Sequence, residues 1–144
     1  MEKIKLLFKY IILFFVGFFA YMGIEYLWRG YSHWTMGCLG GAMLIVIGGI
    51  NEWIPWEMSI IKQMGIGAIV ITITEFLAGI ILNIWLGLGI WDYSSLPLNI
   101  LGQVSLPFSI AWFFLSGIAI VLDDYLRYWL FNEEYPHYKI FEER

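Results

Sequence analysis

The sequence predicts an all-α integral membrane protein of four transmembrane helices, with an aromatic, irregular loop between the third and the fourth. Three observations predict it. Hydrophobic residues make up 60% of the 144-residue chain and charged residues only 14%, where a soluble domain carries about 25% charged. Mean hydropathy is +0.74, more apolar surface than one small core can bury. The apolar residues also gather into runs near the roughly 20 residues that a helix needs to cross a bilayer core. In lipid every backbone group must find a partner within the segment, so such runs are helices. The whole chain, 1–144, reads as a single membrane domain.

The first run, about 6–26, follows Lys3 and Lys5 and contains Lys9. Basic residues ahead of an apolar stretch fit a secretory leader. The run nevertheless continues past Phe18, Phe19 and Ala20 without a small-x-small cleavage site, so it reads as a retained helix. The second run, about 34–50, carries Gly37, Gly40, Gly41, Gly48 and Gly49. The Gly37 to Gly41 spacing lets another helix approach closely, which makes this a packing face. The third run covers about 60–82. The fourth, about 105–122, carries Ser105, Ser109, Trp112 and Ser116 as a polar stripe at roughly helical spacing, and it too reads as a packing face.

Between the last two helices, residues 83–104 are too apolar for a free loop and too broken by Gly87, Gly89 and Pro97 for a helix. A re-entrant or interfacial segment is expected, with Trp85 and Trp91 at headgroup level. After Leu122, helix four should run on towards Pro136, giving an interfacial tail over 123–144.

Orientation follows from lysine and arginine. With the N-terminus inside, Lys3, Lys5, Lys9, Lys62, Arg127, Lys139 and Arg144 are cytoplasmic and Arg29 alone is outside. Both termini are thus expected in the cytoplasm of a bacterial plasma membrane. A net charge of −4 without a basic patch argues against nucleic acid as a partner. No cofactor is expected. The single cysteine, Cys38, forms no intramolecular disulfide and reads as a small packing residue.

Glu75 is the residue of greatest interest. It lies well inside the third helix, where a carboxylate costs several kcal/mol, from about 2.5 upward. Ala68, Thr72, Gly79 and Asn83 share its face at helical spacing, so that face should look into the bundle. Glu75 is either a proton- or cation-responsive group or a structural residue bonded to neighbouring helices. Glu25 and Arg29 stand one turn apart and could pair with each other; Arg29 could instead meet Asp92. Glu25-Tyr26-Leu27 recurs as Glu75-Phe76-Leu77, a short similarity that fits either a duplicated helix pair or chance. Asn51, Glu52, Asp123 and Asp124 fall near cytoplasmic helix ends, where acids ordinarily stand in water.

The chain has no phosphate-binding Gly-x-x-x-x-Gly-Lys-Ser/Thr loop, no His-Glu-x-x-His and no Gly-x-Ser-x-Gly. It is not expected to be an enzyme or to hydrolyse ATP by itself.

One stretch, Gly89-Ile90-Trp91-Asp92-Tyr93-Ser94-Ser95-Leu96-Pro97-Leu98-Asn99-Ile100-Leu101-Gly102, is distinctive. Trp-Asp-Tyr-Ser followed by Pro-x-Asn-x-x-Gly resembles the signature of the bacterial ABC-transporter type IV family, the CmpB-like permeases. Gly23, Glu25 and Trp28, then Glu75, Gly79 and Asn83, and finally Ser109 and Trp112 extend the resemblance over about 23–122. The resemblance implies a polytopic membrane protein and a transporter component. The chain departs from ordinary ABC permeases in being short and in lacking an evident ATPase-coupling loop.

Three functional readings follow. In the first, the chain is a transporter or permease subunit. Its substrate contacts come from Trp91, Asp92, Tyr93 and Asn99 in the loop, with Glu75 and Asn83 beneath and Glu25 and Arg29 on the outer side. Four helices are few to enclose a pathway, which implies a homo-oligomer or partner membrane protein and leaves room for a cytoplasmic ATPase. In the second, it is a membrane scaffold or regulator. In the third, it is a lipid-modifying enzyme using Asp92, Tyr93 and Ser94, although no nucleophile-base pair accompanies them.

Overall fold

The computed structural model describes residues 2–54 and 58–140; Arg144, counted above among the cytoplasmic charges, lies outside them. The order is α1 (Glu2–Arg29), α2 (Trp34–Met43), a π-helical stretch Leu44–Gly48, α3 (Ile50–Trp53), α4 (Ile60–Gly79), a second π-helical stretch Ile80–Trp85, and α5 (Leu106–Phe131). Among the described residues there is no strand beyond one isolated antiparallel bridge, Ile100 to Val104. Among the described residues three helices are long and apolar enough to cross a membrane: Glu2–Arg29, Ile60–Trp85 and Leu106–Phe131. Only 17%, 17% and 22% of their most apolar windows are buried within the protein. That leaves apolar side chains such as Phe15, Phe19, Ile69, Ile73, Phe114 and Ile118 exposed, a surface suited to lipid and not to water.

The second predicted segment differs from the other three. Ten α-helical residues give way to five π-helical ones, and Gly49 separates these from the short α3. The break falls at the pair Gly48-Gly49, where the backbone is least restrained. Helix α1 is longer than expected at both ends. Helix α5 continues beyond 122, as the sequence suggested. It stops at Phe131, where Asn132 takes a left-handed conformation with φ 55°, a common way for a helix to end.

The chain forms two compact units. One comprises Met1–Glu57 with Ala119–Tyr138, the other Met58–Ile118 with Lys139–Arg144. In the first, α1 and α2 pack through glycines. A Cβ built at Gly37 would stand 2.6 Å from the Phe18 ring, and one at Gly41 would stand 2.6 Å from the Phe14 carbonyl oxygen. Gly17 of α1 answers them: its Cβ would meet the Gly40 carbonyl at 2.7 Å and the Leu44 side chain at 2.8 Å. The spacing read from the sequence thus does serve close helix approach. Gly41→Val should destabilise this unit by about 1–3 kcal/mol, the usual cost of overpacking, read as a lowered melting temperature in detergent.

In the second unit Ser59 caps α4, its hydroxyl accepting from the Lys62 N–H at 3.2 Å. Ser105 does the same for α5 towards Phe108 at 3.4 Å, and Pro107 occupies the first turn, where its missing N–H costs nothing. Antiparallel α4 and α5 meet along a polar seam, described next.

Candidate functional site

The seam is built where the helical period places polar groups on facing sides. Thr72 and Ser109 share a hydrogen bond of 2.9 Å. One turn further along α4, the Trp112 indole N–H donates to Glu75 Oε2 at 2.6 Å. Glu75 is only 8% exposed and Trp112 8%. An indole N–H is a donor with no acceptor capacity, so it suits a carboxylate oxygen and would serve a neutral carboxyl as well. Beyond Glu75, the Gln103 side chain fills the space that a Cβ at Gly79 would occupy, while Gln103 Oε1 accepts from Asn83 Nδ2 at 2.8 Å.

The loop is held by amides. Asn83 Oδ1 accepts from the Ile90 N–H at 2.7 Å. Asn99 donates to the carbonyls of Ser94 and Leu96 and accepts from the Gly102 N–H at 3.1 Å. Both amides are half-buried, and polar groups withdrawn from water need such partners. Gly102 is fixed twice over: its φ is +71°, and a Cβ there would stand 2.7 Å from Asp92 Oδ1. Trp91 and Tyr93 turn inward. The Trp91 indole donates to the Gln103 carbonyl at 3.0 Å, and Tyr93 stacks on Phe108 at 4.4 Å between ring centroids. Both are buried, whereas Asp92 between them faces out.

Asp92 accepts from the backbone N–H of Ser94 at 2.9 Å and also from the Ser94 hydroxyl. These two bonds, the side-chain one first, hold its carboxyl below the usual aspartate range. Any stability they give is present at neutral pH and is lost as pH falls through that lowered value. Ser94→Ala should move the Asp92 titration upward towards the ordinary value, measured by NMR on aspartate-labelled protein.

Of the eight residues singled out in the sequence, the structure brings Glu75, Asn83, Trp91, Asp92, Tyr93 and Asn99 into one unit. Glu25 and Arg29 belong to the other, where they form an ion pair of 2.6 Å with each other, and Arg29 lies over the Tyr31 ring at 4.8 Å.

The acids expected in water are the clearest correction. Asp123 is 0% exposed, Asp124 1% and Asn51 8%. They are buried because Arg127, itself 5% exposed, reaches back along α5. Its Nε donates to Asp123 Oδ1 at 2.6 Å and its other arm bonds Asp124. Asn51 donates to Asp124 at 2.7 Å, and the Tyr138 hydroxyl donates to the same oxygen at 2.9 Å. Burial first, and the Asp124 charge second, push the Tyr138 phenol up, so it remains a donor. Lys9 of α1 pairs with Glu52 and, at 2.8 Å, with Glu133, which also accepts from Arg127 at 3.1 Å. Sequence spacing held one usable signal: Asp123 and Asp124 stand four and three residues before Arg127, within reach on one helix face.

Among the described residues no group of three or more His, Cys, Asp or Glu converges as metal ligands. No curated protein and no solved structure matches the chain. A family model described as "Putative ABC-transporter type IV" matches residues 34–136. That stretch takes in the Glu75 seam, the whole amide-held loop and Arg127 with its two aspartates, and the chain belongs to this family.

Proposed function

We propose that the chain is the membrane-embedded, permease-type subunit of a bacterial transport system, and that Glu75 is its proton- or cation-responsive group. The observation that carries this reading is the Glu75 carboxyl, buried on the α4–α5 seam of an apolar helix, where it accepts from the Trp112 indole. Membrane ionisable groups that face a helix interior mark ion and substrate pathways.

In this reading the chain crosses the plasma membrane four times, with both termini in the cytoplasm and the loop after α4 at the outer headgroups. Substrate approaches that loop on the Asp92 side. Trp91, Tyr93, Asn83 and Asn99 keep the loop in shape over Glu75, and the Glu25–Arg29 pair braces the last turns of α1 at the outer side. The chain has no catalytic chemistry of its own. It works as a homo-oligomer or with a partner membrane protein, and a cytoplasmic ATPase is the energy-supplying partner that its family suggests.

Isolating the tagged chain from native membranes in mild detergent, with mass spectrometry of what accompanies it, tests the partner. Stoichiometric recovery of an ATP-binding protein is the expected result. Recovery of this chain alone, as an oligomer, would overturn the ATPase partnership and leave ion coupling through Glu75.

A further inference from the structure

The charges of the buried and half-buried network around Arg127 do not balance. Among the described residues, Asp123, Asp124, Glu52 and Glu133 face only Lys9 and Arg127 as cations, four carboxylates against two. The other groups packed on the network are neutral: Asn51 beside Glu52, Tyr10 of α1, whose hydroxyl lies 3.4 Å from Glu52 Oε2, and Tyr138 of the tail. Glu52 and Glu133 are half-buried and keep some solvent, but Asp123 and Asp124 have almost none, so negative charge is most unfavourable on these two unless something neutralises it.

The hydrogen bonds say where neutralisation falls. Asp124 has three donors, one from Arg127 to Oδ1 and those of Asn51 and Tyr138 to Oδ2. Glu52 and Glu133 both reach Lys9, and Glu133 also Arg127. Asp123 is the exception. It is fully buried, has one donor on Oδ1, and its Oδ2 has no hydrogen-bond partner among the described residues. Its surroundings there are tight, since a Cβ at Gly48 would stand 2.8 Å from Asp123 Cβ.

We propose that this network is a proton-binding site in its own right, with one proton held on Oδ2 of Asp123 in the resting protein. Uptake adds one proton from water to that oxygen and breaks no other bond. The remaining cluster then keeps Asp124 as the carboxylate that receives Arg127, Asn51 and Tyr138. Loss of the proton adds a negative charge beside Asp124, Glu52 and Glu133. The contacts at risk are then those that fasten the tail, Tyr138 to Asp124 and Glu133 to Arg127. The inference is independent of the transport reading and of Glu75.

The chain holds only three aspartates, Asp92, Asp123 and Asp124, which makes the test direct. Full-length protein carrying carboxyl-labelled ¹³C-aspartate is reconstituted in lipid nanodiscs, and the isotope-shifted carboxylic C=O stretch is recorded by infrared spectroscopy. One protonated aspartate is expected at neutral pH, its band lost on alkalinisation, absent in Asp123→Asn and unchanged in Glu75→Gln. Three ionised aspartates at neutral pH would overturn the proposal, as would a band that survives in Asp123→Asn. Thermal melting supplies a second readout. A group protonated in the fold and ionised when unfolded gives stability that fades as pH rises. Wild type should therefore melt earlier as pH rises, and Asp123→Asn, which mimics the protonated form, should flatten that trend. An unchanged slope in Asp123→Asn would contradict the proposal.

Discussion

Arg127→Ala is expected to destabilise the protein by about 3–5 kcal/mol, the largest effect of any single substitution outside the helix backbone. The guanidinium bonds Asp123, Asp124 and Glu133 at once. Its removal leaves Asp123 without its Arg127 donor and Asp124 with only Asn51 and Tyr138, while Lys9 still reaches Glu52 and Glu133. Breaking a buried pair from one side costs more than the pair contributes, because the orphaned charge remains desolvated. Arg127→Lys should fall between, since an ammonium cannot reproduce the planar fork that bonds several acids. Adding Asp124→Asn to Arg127→Ala should restore part of the loss, a coupling expected of residues within one network. Acidification should do the same by removing carboxylate charge. Melting in detergent, followed by helical circular dichroism, reads all three.

Glu75→Gln is expected to abolish transport while changing stability by less than about 1 kcal/mol. The amide is isosteric, and its oxygen can still accept from the Trp112 indole, so the seam with Thr72 and Ser109 stays closed. Only the ability to take up and release a charge is lost. Trp112→Phe should do the opposite. It keeps an aromatic side chain but withdraws the donor from a buried carboxyl, at a cost of about 1–3 kcal/mol, and retains some transport. Growth rescue or solute uptake in cells lacking their own copy separates the two variants. A fully active Glu75→Gln that melts early would make Glu75 a structural residue.

Much of this was legible in the sequence, and the reasons are physical. The period of 3.6 residues placed Thr72, Glu75, Gly79 and Asn83 on one face, and the structure packs Thr72, Glu75 and Gly79 against residues 103–112 with Asn83 bonded to Gln103. The Gly37 and Gly41 spacing announced a close helix contact, because nothing else lets two backbones approach so nearly. Gly17, its counterpart in α1, stands alone in a phenylalanine-rich run, so no spacing marked it. The π-helical stretches at Leu44–Gly48 and Ile80–Trp85 were also invisible. They depend on one extra residue per turn, which leaves no pattern in so uniformly apolar a sequence. The inward turn of Trp91 and Tyr93 around an outward Asp92 depended on Gln103 and Phe108, partners a dozen or more residues away.

The charge network was misread for a different reason. Asp123 and Asp124 follow the most apolar part of α5, and acids at that point normally end a span in water. What buries them comes from far along the chain: Lys9 on α1, Asn51 and Glu52 after the π-helical turn, and Glu133 and Tyr138 on the returning tail. Local spacing could reveal the Arg127 pairs and nothing more.

The proposed transport function requires a chain that crosses the bilayer and returns, with the amide-held loop outside and both ends inside. Cysteine labelling tests this most directly, because Cys38 is the one cysteine and can be replaced by Cys38→Ser. In that background, Lys3→Cys, Ser95→Cys and His137→Cys are probed singly in intact cells with a membrane-impermeant maleimide. Ser95→Cys is expected to be labelled at once, and the other two only after the membrane is permeabilised. Labelling at positions 95 and 137 from the same side, or at 3 and 137 from opposite sides, would contradict it.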